Sequence, residues 1–295
     1  MNYFEQMLYF LQGEMTTPTP FGWFHLLCLG FVVVAVAILY VMRKRHGEIQ
    51  LKVVLGVYGF TAFTLELLKQ LIWSFNYDSA TGVVTWDYQW YAAPFQLCTT
   101  PIFISLICFA LKKGKLREQL LSYMAYFTIL GSISAMILPD SCFTSDILVN
   151  IHTMWLHLGS FVVSVYLLMS GEIKVHVDTW KKGMVVFLGF VGIALFLNLA
   201  IYHSGVLNGE TFDMFYISPY FVSSLPVFDI IQQKVPYVIF LASYILALMI
   251  GALAIHGISL LISWIYGKIT AKVSFYEYHN SQDRNSLHPK GEMVK

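Results

Sequence analysis

WFHLLCLGFVVVAVAILYVMRKR, residues 23–45, is the stretch that decides the fold. Between Trp23 and Met42 there is no Asp, Glu, Lys or Arg, and then three basic residues follow together. As a helix, a run of about twenty apolar residues crosses the hydrocarbon core of a bilayer. A basic cluster at its end marks the cytoplasmic side. Both features recur along the chain. Of the 295 residues, 57% are hydrophobic and 12% are charged, and mean hydropathy is +0.65. Soluble domains carry about 25% charged residues, so the composition is that of an integral membrane protein. The net charge of +1 points to no nucleic-acid partner.

Only helices satisfy their own backbone in lipid when no barrel pattern is present. The pattern therefore predicts an all-α, polytopic membrane protein with seven transmembrane helices, over roughly 20–42, 52–75, 92–111, 119–138, 147–170, 183–203 and 236–266. Basic residues alternate between connections. Arg43, Lys44, Arg45 and Lys52 follow the first run, Lys112, Lys113, Lys115 and Arg117 the third, and Lys174, Lys181 and Lys182 the fifth. The tail holds the rest, leaving only Lys69 and Lys234 outside the pattern. This places the N-terminus outside and the C-terminus in the cytoplasm of a multi-pass protein of the cell membrane. Trp23, Trp73, Trp90 and Tyr91 fall at the outer ends, where aromatic belts belong.

The expected organisation is an outer N-terminal segment over 1–19, a seven-helix domain over 20–266 and a cytoplasmic tail over 267–295. Residues 4–12 are read as a short interfacial helix. The aromatic segment 204–235 is read as a lid or re-entrant loop, and the polar stretch from 275 as a mobile tail. Residues 1–20 lack the basic start of a secretory leader.

Ionisable groups inside spans are costly and mark functional sites by default. Depth follows from the rise of about 1.5 Å per residue. His25, Glu66, Gln70, Cys98, His152, His157 and Asn198 all fall roughly 7–15 Å inside the outer boundary. Five spans thus aim polar groups at one layer, at the depth of lipid esters. His152 and His157 lie about 140° apart on an α-helix and cannot both face one atom. Glu66, Lys69, Gln70 and Trp73 share one helical face, where Glu66 and Lys69 would neutralise each other.

Cys98 sits in WYAAPFQLCTTPIF, residues 90–103. Alone it reads most simply as a small core residue. Beside a histidine it becomes a candidate nucleophile, with His157 as the base. Glu66, Gln70, Asn198 or His152 would orient that base. Gln96, Thr99 and Thr100 are candidate oxyanion donors, and Pro94 and Pro101 would loosen the helix and free backbone N–H groups. A disulfide between Cys142 and either Cys28 or Cys98 is a further possibility. A metal site of Cys98, His152, His157 and Glu66 would lack ligand spacing on any one helix.

Seven short motifs occur in order: FGWFHLL at 21–27, LELLKQLIW at 65–73, PFQLC at 94–98, LPD at 138–140, IHTMWLHLGSF at 151–161, FLNLAIY at 196–202 and YFVSSLPVFDII at 220–231. Together they resemble the YwaF family of bacterial integral membrane proteins, related to the eukaryotic transmembrane protein 164, over residues 20–260 or so. The resemblance implies phospholipid acyl transfer through a cysteine acyl-enzyme, without coenzyme A. The family's cysteine matches Cys98, its fifth-span histidine matches His157, and its first-span histidine matches His25; His152 is a weaker match. No cofactor, metal or protein partner is expected, and membrane phospholipids would be both acyl donor and acceptor. The rival readings are a lipid hydrolase or thioesterase at the same site, a proton-coupled transporter, and a receptor or scaffold.

Overall fold

The computed structural model describes residues 1–45, 47–137 and 142–287. The LPD stretch therefore lies outside the described residues, as do His46, Ser141 and the last eight positions of the tail. The described chain is a helical bundle with one small hairpin.

Six helices are long and apolar enough to cross a membrane: Trp23–Arg45, Glu48–Ser74, Lys115–Ile137, Ile147–Met169, Val177–Ser204 and Tyr237–Lys268. In chain order the elements are α1 (Tyr3–Leu11), α2 (Trp23–Met42), α3 (Glu48–Ser74), the strands β1 (Phe75–Asp78) and β2 (Val83–Trp86), and α4 (Thr100–Ala110). Then come α5 (Lys115–Tyr123), α6 (Ile129–Ile137), α7 (Ile147–Met154), α8 (Ser160–Met169), α9 (Val177–Ser204), α10 (Phe228–Lys234) and α11 (Tyr237–Leu287).

The third expected span is much shorter than its apolar run. Its helix has 11 residues, Thr100–Ala110, and rises only about 16 Å. The cause lies in the sequence. Residues ahead of a proline avoid the helical region, and Pro101 sits comfortably only in a first helical turn. Residues 93–99 are accordingly irregular, with Trp90–Ala92 as one 3₁₀ turn before them.

α4 lies flat against α3 because α3 offers small residues there. A Cβ on Gly59 would come within 3.1 Å of Ser105 and Leu106. Small residues let helices approach where apolar burial gives no drive. Gly183 does the same between α9 and α5, where an added Cβ would sit 2.9 Å from the Ser122 carbonyl oxygen. The helix through α5 and α6 is the centre of the bundle, with 67% of its apolar window buried, against 11% for the first span.

At the basic end, Arg117 is 2% exposed. It grips Glu48 of α3 with both terminal nitrogens, at 2.6 and 3.0 Å. At the opposite end, α1 is fixed by a capping box between Asn2 and Glu5. Leu8 is buried against Ile72, Phe75 and Val149, and Gln12 Nε2 donates to the carbonyls of Ile72 and Phe75. The hairpin pairs β1 and β2 antiparallel beside it. Segment 205–227 folds inward: Phe212, Met214, Phe215 and Ile217 join the main core. α11 continues as helix through the polar stretch from 275 to Leu287.

Candidate functional site

Two transmembrane helices are interrupted by single π-helical segments, Met124–Thr128 between α5 and α6 and Trp155–Gly159 between α7 and α8. Each holds one extra residue in a turn, and such turns occur frequently at functional sites. The first packs against α8 and the second against α6. Tyr58 of α3 stabilises the second by donating its hydroxyl to the Leu156 carbonyl at 3.1 Å. Its ring fills the space left by Gly159, where a Cβ would lie 2.8 Å away.

A small cavity opens where these segments meet the turn before α4. It is lined by Leu97, Cys98, Phe127, Thr128, Gly131, Ser132, His157 and Ser160. Its ≈ 10 Å³ of space for the centre of a water-sized sphere matches about one water molecule. Cys98 lies in the turn just ahead of Thr99, which caps α4, and His157 lies at the middle of the second π segment. The structure thus brings together the thiol and the imidazole that the sequence singled out. Cys98 and Cys28 are both free thiols, so neither disulfide considered for Cys142 is formed.

The other expected site residues go elsewhere. Glu66 is 2% exposed and holds a closed cluster. Its Oε1 accepts from Lys69 Nζ at 2.8 Å and from Gln70 Nε2 at 2.7 Å, and its Oε2 lies 2.8 Å from His152 Nε2. Lys69 and Gln70 also donate to the Ala92 carbonyl, at 3.1 and 2.7 Å. The cluster ties α7 and the 90–92 turn to α3. Asn198 and Gln96 act as a pair of clamps on the inward loop. Asn198 exchanges two bonds with Met214, at 3.0 and 2.7 Å. Gln96 donates to the Asp213 carbonyl and accepts from Phe215 N–H, both at 2.8 Å. These bonds hold a turn in which Phe215 and Tyr216 have φ of 61° and 59°. Burial of Asp213 in this loop pushes its carboxyl up to about 6. His25 is fully buried between Phe21 and Phe143, its Nδ1 accepting from Phe21 N–H.

No hydrogen bond joins His157 to Glu66, Gln70, Asn198 or His152 among the described residues, because each of those side chains is turned to its own cluster. Gln96 is consumed by the loop and is not a free oxyanion donor. Thr99 closes a local turn with Gln96, and Thr100 bonds the Leu97 carbonyl and the Tyr123 hydroxyl. Among the described residues no cluster of three His, Cys, Asp or Glu is gathered as metal ligands. Thr128, Ser132 and Ser160 are cavity residues that the sequence reading missed.

A bundle of six long apolar helices, with Cys98 and His157 on the wall of one small cavity, defines a polytopic helical membrane protein. A family model described as the TMEM164 family matches residues 18–255. The chain belongs to the TMEM164 family, as the ordered motifs implied. No curated protein and no solved structure matches it.

Proposed function

We propose that this chain is a membrane acyltransferase that moves a fatty acyl chain between phospholipids through a thioester on Cys98, without coenzyme A. The observation that carries the reading is the cavity shared by Cys98 and His157 in a member of the TMEM164 family. His157 takes the thiol proton as Cys98 attacks an acyl ester. The departing lysolipid oxygen receives that proton from the imidazolium. A second lipid hydroxyl then attacks the thioester and frees the thiol. A positioned base of this kind is worth about 10²–10⁴ in rate.

The charge alternation sets the site in the outer half of the cell membrane, with the N-terminus outside. In this reading the irregular residues 93–99 and α4 together are the seventh crossing. A cavity the size of one water admits no lipid ester, so its wall moves before reaction. The transporter reading has less support, because the buried charges of Glu66 and Lys69 are tied into one closed cluster and do not line a path.

The test is the intact mass of the purified chain after incubation with a defined phosphatidylcholine. A hydroxylamine-labile acyl adduct is expected on the wild type, absent from Cys98→Ala and slow to form on His157→Ala. Lipid turnover by Cys98→Ala at the wild-type rate would sink the proposal.

A further inference from the structure

Five side chains on the cavity wall carry a polar atom: Cys98, Thr128, Ser132, His157 and Ser160. Two of the three hydroxyls are already engaged. Ser132 and Ser160 bond each other at 3.0 Å, and Ser160 also donates to the His157 carbonyl at 2.9 Å. Thr128 differs. Its hydroxyl is buried and has no hydrogen-bond partner among the described residues, and the residue is 5% exposed.

A Ser or Thr on an α-helix commonly donates back to the carbonyl four residues earlier. Thr61, Thr64, Ser74, Ser134, Ser243, Ser259 and Ser263 all do so here. Thr128, the last residue of the first π segment, makes no such bond. A buried unmatched hydroxyl costs about 1–3 kcal/mol. Ser122 and Ser164 share this lack of a partner, but neither reaches the cavity. Thr128 thus puts on the wall it shares with Cys98 a buried hydroxyl that no described residue engages.

We infer that the Thr128 hydroxyl is the oxyanion donor of this site, a catalytic residue for the attack of Cys98 on a lipid ester carbonyl. The inference rests on the acyltransferase reading. As the C–S bond forms, the carbonyl π pair moves onto oxygen, and that oxygen accepts a hydrogen bond from Thr128. The pair then returns, the C–O bond to the lysolipid breaks, and the lysolipid oxygen takes its proton from His157. Thr128 ends unpartnered again, as it began. A hydroxyl placed beside the carbonyl under attack stabilises the charge that develops on its oxygen.

The experiment compares wild type, Thr128→Val, Thr128→Ser and Cys98→Ala in detergent–phosphatidylcholine micelles. Two rates are read for each: acyl transfer from the lipid, and modification of Cys98 by methyl methanethiosulfonate, followed by mass. The second reaction passes through no oxyanion. Thr128→Val should slow acyl transfer about 100-fold and leave thiol modification within about 2-fold. Thr128→Ser should restore most of the transfer rate. Equal loss of both rates in Thr128→Val would mean a structural role and overturn the inference. A wild-type transfer rate in Thr128→Val would overturn it while leaving Cys98 catalysis intact. Transfer indifferent to Cys98→Ala would remove the acyl-enzyme reading itself, and this inference with it.

Discussion

Replacing Glu66 with alanine removes the anchor of a buried cluster that joins three elements. Both partners of the Glu66–Lys69 pair are enclosed, at 2% and 7% exposure. After the substitution, Lys69 Nζ and Gln70 Nε2 keep the Ala92 carbonyl, so neither is stripped of every acceptor. The ammonium of Lys69 nevertheless loses its only counter-ion at ion-pair distance among the described residues, and His152 Nε2 loses the oxygen 2.8 Å away. Breaking a buried pair from one side costs about 3–5 kcal/mol, whereas exchanging both charges for apolar groups is often neutral. Glu66→Ala is expected to lose that amount, and Glu66→Leu/Lys69→Leu to be more stable than the single variant. Cys108 reports the loss, since it is fully buried in the core and becomes reactive to a thiol dye only on unfolding. Unfolding in mixed micelles with rising dodecyl sulfate gives the free energies. A single variant within about 1 kcal/mol of wild type, or a double variant worse than the single, would refute the argument.

Two further outcomes are expected. Gln96→Leu leaves the Phe215 N–H and Asp213 carbonyl without the partners they have now, so the turn at 213–217 should open more readily by about 1–3 kcal/mol, seen as faster amide hydrogen exchange there and not in α3. Asp213, whose carboxyl burial raises from its ordinary 3.8 to about 6, binds its proton more tightly folded than unfolded. Stability should therefore be highest below about pH 4 for this group and fall by about 3 kcal/mol as pH rises to roughly 6; in thermal unfolding, Asp213→Asn should lack that part of the decline and the difference between the two proteins should be flat above it.

The long helices were legible because lipid imposes one rule on every residue of a span. Apolar runs closed by Arg43–Arg45, by Lys112–Lys115 and by Lys181–Lys182 give the crossings and their ends. The run at 92–111 was misjudged in form, since hydropathy says nothing about φ and ψ, and Pro101 allows a helix only from Thr100. The direction in which each side chain faces was not legible. His152 and His157 were separated by angle and have different neighbours in the structure, while Glu66, Asn198 and Cys98 were gathered at one level and are likewise divided among different neighbours. Which way a helix turns depends on its packing partners, and an apolar segment such as 124–137 shows no polar face to read. The π turns leave no trace in such a segment, and without them Thr128 looks like any other helical threonine.

Those two extra residues also set the phase of everything that follows them. Removing one residue from 124–128 would let the ladder relax to α-helical register and rotate α6 by about 100° relative to α5. Gly131 and Ser132 would turn away from the cavity they now line, and Leu130 would leave its place against Gly251 of α11. The same holds for 155–159, whose deletion would swing Ser160 away from Ser132. Each π turn works as an offset that keeps two differently phased halves of one helix on the same wall. A change of length there is a change of aim, and for this bundle a one-residue deletion in mid-membrane would be felt at the cavity of Cys98 and His157 before it was felt in the length of a span.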